Sequence, residues 1–384
     1  MTRVGRGAAG ALDTYANNSS SRAPKGASDL REWRYKRRAL LRDVSNLRRV
    51  CKCGRVLHDA DLGAGLRLGE GGAGWSGVVT CGSVWVCPVC NAKIMARRAL
   101  ELGCAIAEWQ RRGGTVVLVT FTMRHRLGQG LALLWDSLSY GWGRVTSGTS
   151  WLRDKGAYGL VHYARTVEVT TGRNGWHVHA HVLLFLHGKV TDGALAALHL
   201  GMFGRWRAAM VAKGLAAPTM AGQDIRVVGT EWVAEYLTKA TDRARAAGRE
   251  VTMSQGKRAR SALGTEPTWV LLDRVSEGDA DALDLWHEWE RGSKGRRQIT
   301  WSRGARQDLG LTAEQTDEEI AEQEHGGVTL LYVTADGWRR LLTTDGGTLG
   351  PLVAAEAGGM AGARAYLEEH GIEFETVDRE GVGR

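Results

Sequence analysis

The chain contains 384 residues with a formal net charge of +9, and 43% of its residues are hydrophobic. This length and composition suffice for two or three domains with a sizeable core. The sequence has no run of about eighteen apolar residues and no charged, apolar, small-residue leader, which argues against a membrane span and a secretory signal. We therefore expect a cytoplasmic protein without membrane partners.

Positive charge is concentrated at the start of the chain and negative charge at its end. Residues 1–55 contain fourteen basic and four acidic residues, whereas residues 313–384 contain five basic and fifteen acidic residues. A basic region suits a polyanion such as nucleic acid, because phosphates that bind it release their counterions. Charge alone leaves an ordinary basic surface open as the alternative.

The first predicted element is a basic amphipathic helix. Residues 1–27 are basic, rich in Gly, Ser, Asn and Ala, and without apolar periodicity, which predicts disorder. From Ser28 to about Arg49, apolar residues recur at helical spacing among arginines. We expect Arg34, Arg37 and Arg38 of this helix to bind DNA, and a solvated surface helix is the alternative.

A cysteine-rich segment follows at residues 50–94, with a glycine-rich loop predicted at 63–74. In a chain without an export signal, these cysteines suggest a metal site rather than disulfides. Four thiolates form a closed, structural Zn²⁺ site. The Cys-x-x-Cys pair and the glycine after Cys53 favour the ligand set Cys53, Cys81, Cys87 and Cys90. Cys51 in place of a distal ligand remains open, and His58 is a further candidate.

The middle of the chain alternates between predicted strands and helices. After a helix at 91–112, the segments read as strand 114–125, helix 128–147, strand 160–171, a Gly-rich turn, strand 175–186, helix 190–213, strand 222–229 and helix 230–246. A helix at 266–291, a strand at 297–302 and a charged linker at 313–326 follow.

This order predicts an α+β fold with a central, mainly antiparallel sheet flanked by helices. We expect the sheet domain at 113–312, preceded by a segment at 28–112 that contains the basic helix and the zinc site. Residues 313–384 are expected to form a small acidic α+β appendage.

The strand "NGWHVHAHVLLFL" places His177, His179 and His181 on one face, since side chains alternate along a strand. A turn near residues 173–174 sets Glu168 across from His179 on that face. Two imidazoles and a carboxylate can bind one divalent cation and leave positions open for substrate and water. A row of partly exposed histidines without metal is the alternative.

A possible nucleophile lies further along the chain, where Tyr236 and Lys239 are three residues apart on a predicted helix and share a face. A phenol can act as a nucleophile when a neighbouring cation or a metal-polarised phosphate favours its ionisation. Ordinary packing is the alternative for this pair.

Taken together, these segments resemble the rolling-circle replication initiators of Gram-positive and especially actinobacterial plasmids, within the His-hydrophobe-His (HUH) endonucleases. "VLVTFTMRH" at 117–125 resembles the first family motif, "HVHAH" the metal motif and "YLTK" at 236–239 the nucleophile motif. The order of these motifs, their spacing and the preceding "CPVC" agree over about residues 50–305.

The resemblance implies an HUH-type sheet and a site-specific, metal-dependent enzyme that nicks and rejoins single-stranded origin DNA. His179 and His181 would hold Mg²⁺ or Mn²⁺, and Tyr236 would attack the scissile phosphate. The products would be a 5′-phosphotyrosine and a 3′-hydroxyl that primes synthesis, with Lys239 as a phosphate or phenolate partner. Expected partners are the plasmid's double-strand origin in single-stranded or hairpin form, host helicase and the replication machinery.

The sequence departs from the family pattern at the position four residues before the tyrosine. Related initiators often have a carboxylate there that activates water, whereas this chain has Trp232. Glu231 and Glu235 are the expected substitutes. Three other functions remain open: a rolling-circle transposase, a zinc hydrolase using His177 with the other two histidines, and a non-catalytic zinc-dependent DNA-binding protein.

Overall fold

The structure is a computed structural model that describes residues 27–229, 265–323 and 326–377. In these ranges the chain is α+β, with antiparallel sheets flanked by helices, as the sequence predicts. The strands form two sheets, whereas one central sheet was expected. The predicted disordered segment falls almost wholly outside the described residues. So do the four predicted catalytic side chains, Glu231, Glu235, Tyr236 and Lys239.

The N-terminal part contains three helices and a β-hairpin. These elements are α1 (Ala27–Val44), α2 (Arg48–Cys51), β1 (Ala64–Gly69), β2 (Gly72–Ser76) and α3 (Pro88–Arg111). The glycine-rich loop predicted at 63–74 was wrong, because this segment forms the β1–β2 hairpin. Gly72 has a φ of 97° at the turn, and Leu66 is fully buried, so the glycines provide the turn while the apolar residues form a core.

The strands of the larger sheet come from the middle of the chain. Its strands are β3 (Thr115–Phe121), β4 (Leu160–Gly172), β5 (Gly175–Leu186), β6 (Asp224–Val227), β7 (Thr265–Pro267) and β8 (Ile299–Trp301). The strand order is β6-β3-β5-β4-β7, β8 also pairs with β4, and every pairing is antiparallel. The β-branched sequence "TVVLVTF" of β3 suits this central, buried position.

Five helices accompany this sheet: α4 (Leu131–Val145), α5 (Gly148–Tyr158), α6 (Asp192–Ala212), α7 (Val270–Ser276) and α8 (Ala280–Ser293). The single helix predicted at 266–291 is instead β7 followed by two helices. Gly278 adopts a φ of 90° between them, and the side chain of Asp279 accepts a hydrogen bond from the backbone N–H of Ala282 to cap α8. A local turn therefore divides a segment that is otherwise apolar at helical spacing.

The two faces of the larger sheet differ in what covers them. Val117 and Val119 lie on the face that packs against α4, α6 and α8 in the main core. On the opposite face, Val116 and Leu118 pack against the C-terminal half of α3. Further along that face the side chains become polar, beginning at Thr120 of β3. The histidine strand β5 presents its polar side chains on this polar part of the face.

The C-terminal part contains α9 (Ala305–Asp308), α10 (Asp317–Glu322), β9 (Val328–Val333), α11 (Ala335–Leu341), α12 (Gly350–Glu369) and β10 (Phe374–Thr376). The predicted linker at 313–326 thus includes a helix, which Thr316 and Glu319 cap reciprocally. The second sheet has the order β10-β9-β1-β2. The C-terminal strands therefore share a sheet with the cysteine-rich segment, whereas the sequence predicts a separate C-terminal appendage. None of the helices described is long and apolar enough to cross a membrane.

Candidate functional site

The histidine hairpin has the register that the sequence predicts. Gly172 pairs with Gly175 across a two-residue turn, and Gly175 has a φ of 80°, which favours glycine. The pairing sets Glu168 opposite His179 and Thr166 opposite His181. Because opposite residues of an antiparallel pair project to the same side, the carboxylate and the imidazoles share one face of the sheet.

Glu168, His179 and His181 converge on one point. Oε2 of Glu168 lies 3.1 Å from Nε2 of His179 and 3.1 Å from Nε2 of His181. The ligand atoms of the three residues all lie within 4.8 Å of one another. Only 9% of Glu168 is exposed, so the group is largely shielded from bulk water. The predicted hairpin geometry therefore yields a compact set of two nitrogen donors and one oxygen donor.

The electrostatics of this set keep its carboxylate charged. Burial alone would raise the pKa of Glu168, but hydrogen bonds with His179 and His181 outweigh it and hold that pKa well below its usual range. Nδ1 of His181 lies 3.1 Å from the Thr120 hydroxyl, which orients the ring and leaves Nε2 directed at Glu168. An ionised carboxylate and two oriented imidazoles make a donor set that fits a divalent cation.

His177 contacts a different partner. Its Nδ1 lies 2.9 Å from Nε2 of His125, whose Nδ1 lies 2.9 Å from the carbonyl oxygen of Asn174. The carbonyl can only accept, so Nδ1 of His125 carries the proton in the neutral ring and Nε2 accepts from His177. His177 was predicted as a ligand, but it does not belong to the compact group with His179 and His181.

His125 is not among the predicted site residues, although it is the last residue of "VLVTFTMRH". The sequence signal that could have identified His125 is its position directly after the strand of the first motif. Its neighbour only becomes evident once β3 and β5 are paired, since the two histidines are 52 residues apart in the chain. The set of three histidines that a zinc hydrolase would need is not formed.

Four cysteines form a second group of metal-ligand type. Cys53, Cys81, Cys87 and Cys90 are buried, and Sγ–Sγ distances within the group are 3.5, 3.6 and 3.7 Å. These distances are far too long for disulfides. Thiolates about 2.3 Å from a tetrahedral zinc ion lie about 3.8 Å apart, so the spacing fits such an ion. Cys51, the alternative ligand, instead donates from Sγ to the carbonyl oxygen of Ser45 over 3.3 Å.

The four thiols cannot all ionise without a cation. Hydrogen bonds with Cys53 raise the pKa of Cys81 and Cys87 well above the usual thiol value, and burial adds to this effect. The pKa of Cys90 is lowered well below that value, because its sulfur accepts from the other thiols, beginning with Cys53. A bound divalent cation would therefore be needed to stabilise all four thiolates.

The three arginines predicted to bind DNA do not form an open surface. Arg34 is 3% exposed. Nε of Arg37 lies 2.7 Å from Asp273 on α7, and Arg38 donates to the Thr348 hydroxyl over 3.0 Å. The prediction assumed that arginines on an amphipathic helix face solvent. Here residues from distant parts of the chain, Asp273 and Thr348, provide hydrogen-bond partners for Arg37 and Arg38.

Comparison with known proteins gives three similarities. Residues 77–193 match a protein family described as "Replication protein". The chain is 31% identical over 352 residues to "Protein rep" of Streptomyces lividans, covering 72% of this chain and 76% of that protein. It is also 32% identical over 152 residues to "Neomycin resistance protein" of Streptomyces cyanogenus, covering 33% of this chain and 35% of that protein. No solved structure gives a significant match.

Proposed function

The chain belongs to the replication (Rep) protein family of plasmids, and we propose that it initiates plasmid replication by nicking single-stranded DNA at the origin. The observation that carries this proposal is the convergence of Glu168, His179 and His181 on one point of the sheet surface. A compact donor set of this kind, in a replication protein, suits the cleavage of a phosphodiester.

In this proposal the three side chains bind Mg²⁺ or Mn²⁺. The bound cation would withdraw negative charge from the scissile phosphate and so lower the barrier to attack. Glu168 supplies a permanent negative charge, and the Thr120 hydroxyl holds the ring of His181 in place. The divalent cation itself is inferred from the donor set and from the family resemblance.

Tyr236 is the proposed nucleophile, on the strength of the Tyr-x-x-Lys motif. The phenol loses its proton as its oxygen bonds to phosphorus, and the bond from phosphorus to the 3′-oxygen breaks. The 3′-oxygen gains a proton and becomes the primer for synthesis, while Tyr236 holds the 5′-phosphate. Attack by a 3′-hydroxyl on this linkage reverses the step and rejoins the strand. Lys239 is proposed to stabilise the phenolate or phosphate, and Glu231 or Glu235 to activate water at termination.

We further propose that the four clustered cysteines hold a structural Zn²⁺. Their burial and sulfur spacing support this, since a closed thiolate set leaves no position for a substrate. The zinc would fix the loop before α3 and the hairpin β1–β2 as one unit. The proposed partners are origin DNA in single-stranded or hairpin form, together with host helicase and the replication machinery.

The covalent adduct is the decisive test. The full chain is incubated with single-stranded fragments of its own replicon and Mn²⁺, and the denatured products are analysed for protein bonded to DNA. We expect an adduct whose DNA-linked peptide contains Tyr236, and none from Tyr236→Phe. Tyr140→Phe, at a tyrosine that is 42% exposed on α4, is the matched control and should form the adduct normally. Cleavage that persists in Tyr236→Phe would overturn the proposed chemistry.

A further inference from the structure

Arg38 lies beside the cysteine group. Its guanidinium packs against Gly54, the residue that follows Cys53, so closely that a Cβ atom at Gly54 would overlap it. The guanidinium carbon lies 4.4 Å from the centre of the Tyr35 ring, and Nη2 donates to the Thr348 hydroxyl over 3.0 Å. Three parts of the chain thus hold one cation at the edge of the cysteine group.

Within the described part of the chain, no carboxylate forms a salt bridge with Arg38. Arg37, its neighbour on α1, forms a salt bridge with Asp273, whereas the partners found for Arg38 are a hydroxyl and an aromatic ring. With no carboxylate paired to it in these ranges, the guanidinium lies against Gly54, directly after the proposed ligand Cys53.

A zinc ion bound to four thiolates carries a net charge of about −2, because each thiolate contributes one negative charge. A buried charge of that size is unfavourable unless a fixed group of opposite sign lies nearby. Arginine suits this role, since it remains protonated and its planar group stacks on an aromatic ring. Tyr35 and Thr348 hold the guanidinium in a defined orientation for this purpose.

We propose that Arg38 is the counter-cation of the zinc centre and slows the loss of its metal. This inference rests on the proposed zinc site and is independent of the nicking chemistry. Gly54 then has two reasons to be glycine. Its φ is 64°, and its missing side chain provides the space in which the guanidinium lies.

The test measures zinc release from the full chain. The zinc content of the purified wild type is determined first, and the rate of transfer to an excess of a chromogenic chelator is then recorded. We expect Arg38→Met to release zinc at least about tenfold faster, since removing one member of a buried charge pair is costly. Arg38→Lys, which keeps the charge, should stay within about threefold of the wild type. Arg42→Met is the matched control on the same helix, where Arg42 pairs with Asp43, and should not change the rate.

A second pair of variants keeps the proposal testable if Arg38→Met does not fold. Gly54→Ala displaces the guanidinium, whereas Gly188→Ala imposes a similar strain at a φ of 67° with no atom within 4 Å of the new Cβ. We expect faster zinc release from Gly54→Ala and an unchanged rate from Gly188→Ala.

The outcomes separate the two proposals. A wild-type protein without zinc would overturn the zinc site and, with it, the role of Arg38. If the wild type contains zinc and the folded Arg38→Met protein releases it at the same rate, the zinc site stands and the role of Arg38 as counter-cation is overturned. If Arg38→Met does not fold, equal release rates from the two glycine variants lead to the same conclusion. Neither result would bear on the adduct at Tyr236.

Discussion

Glu168 and His179 face each other across the β4–β5 hairpin, and their side chains meet, with Oε2 lying 3.1 Å from Nε2. The backbone register alone brings the two groups together, so no loop has to close to form this half of the donor set. His181 adds the third donor from the same strand. The set is therefore as rigid as the hairpin on which it stands.

We predict that Glu168→Gln weakens Mn²⁺ binding by at least about 100-fold, because a neutral amide replaces the only anionic ligand of the set. Titration calorimetry of the full chain measures this directly, and DNA nicking should fall in parallel. Glu277→Gln, at an exposed position after α7, is the control and should bind Mn²⁺ like the wild type. Unchanged affinity in Glu168→Gln would show that the cation binds elsewhere.

The second prediction concerns His125, which contacts His177 rather than the donor set. We expect His125→Ala to lower the nicking rate about tenfold, as is typical when a supporting hydrogen bond is lost, while Mn²⁺ affinity stays at the wild-type level. His125→Gln, whose amide can replace the ring as acceptor, should restore part of the rate. A parallel loss of Mn²⁺ binding in His125→Ala would instead place His177 among the ligands.

The third prediction is that the DNA-binding arginines lie beside the histidine hairpin and not on α1. Arg124, Arg126 and Arg173 are exposed beside His125 and at the turn of the histidine hairpin, on either side of the close approach between Gly175 and Leu127. Replacing each by alanine should reduce the slope of log affinity against log salt by about one per lost phosphate contact.

Arg207→Ala is the matched control for that series, because Arg207 is exposed on α6, which covers the opposite face of the sheet. Its salt slope should equal that of the wild type. Arg37→Ala is expected to destabilise the fold, because it removes the hydrogen bond between Arg37 and Asp273. It should not change the salt dependence of DNA binding. A full slope in the triple variant of Arg124, Arg126 and Arg173 would contradict the relocation.

The fourth prediction concerns a buried carboxylate on α3 that pairs with two arginines. Nη1 of Arg306 and of Arg98 lie 3.0 and 3.2 Å from Oε2 of Glu101, which is 6% exposed. Burial alone would raise the pKa of Glu101, but the two guanidinium groups lower it below its ordinary value. Such a carboxylate stabilises the fold above the unfolded pKa and loses this effect as the pH falls through the folded pKa.

We therefore expect Glu101→Gln to lower the free energy of unfolding by about 2 kcal/mol at pH 7. The difference from the wild type should shrink as the pH falls below about 4, where the unfolded carboxyl is already protonated. Urea unfolding at several pH values provides the measurement. Glu108→Gln, at a partly exposed carboxylate that pairs with Arg111 and Arg112 on the same helix, should show a smaller difference because solvent screens these pairs. A pH-independent effect of Glu101→Gln would refute the ion-pair explanation.

The sequence was sufficient where local geometry decides the structure. A two-residue turn and the alternation of a strand fix the register of Glu168 against His179, and a Cys-x-x-Cys knuckle restricts the choice of thiol ligands. It failed where the partner lies far along the chain. The surroundings of Arg37 and Arg38 depend on Asp273 and Thr348, which no helical pattern in α1 can indicate.

The hairpin β1–β2 shows the same limit. Its residues are mostly glycine and alanine, so composition predicted a loop, and only the pairing of β1 with β9 explains the extended backbone. His125 was missed for a related reason, since β3 and β5 must pair before it meets His177. Long-range strand pairing carries information that a window of neighbouring residues does not contain.

The β1–β9 pairing also orders events during synthesis. The strand β9, which completes the sheet of the cysteine-rich segment, follows β1 in the chain only after all the strands of the larger sheet. Because non-local strand pairs form only after both strands exist, a nascent chain must keep one edge of β1 unpaired until β9 has been made. A chain that stops before β9 would retain that open edge, where the strand of another chain can pair.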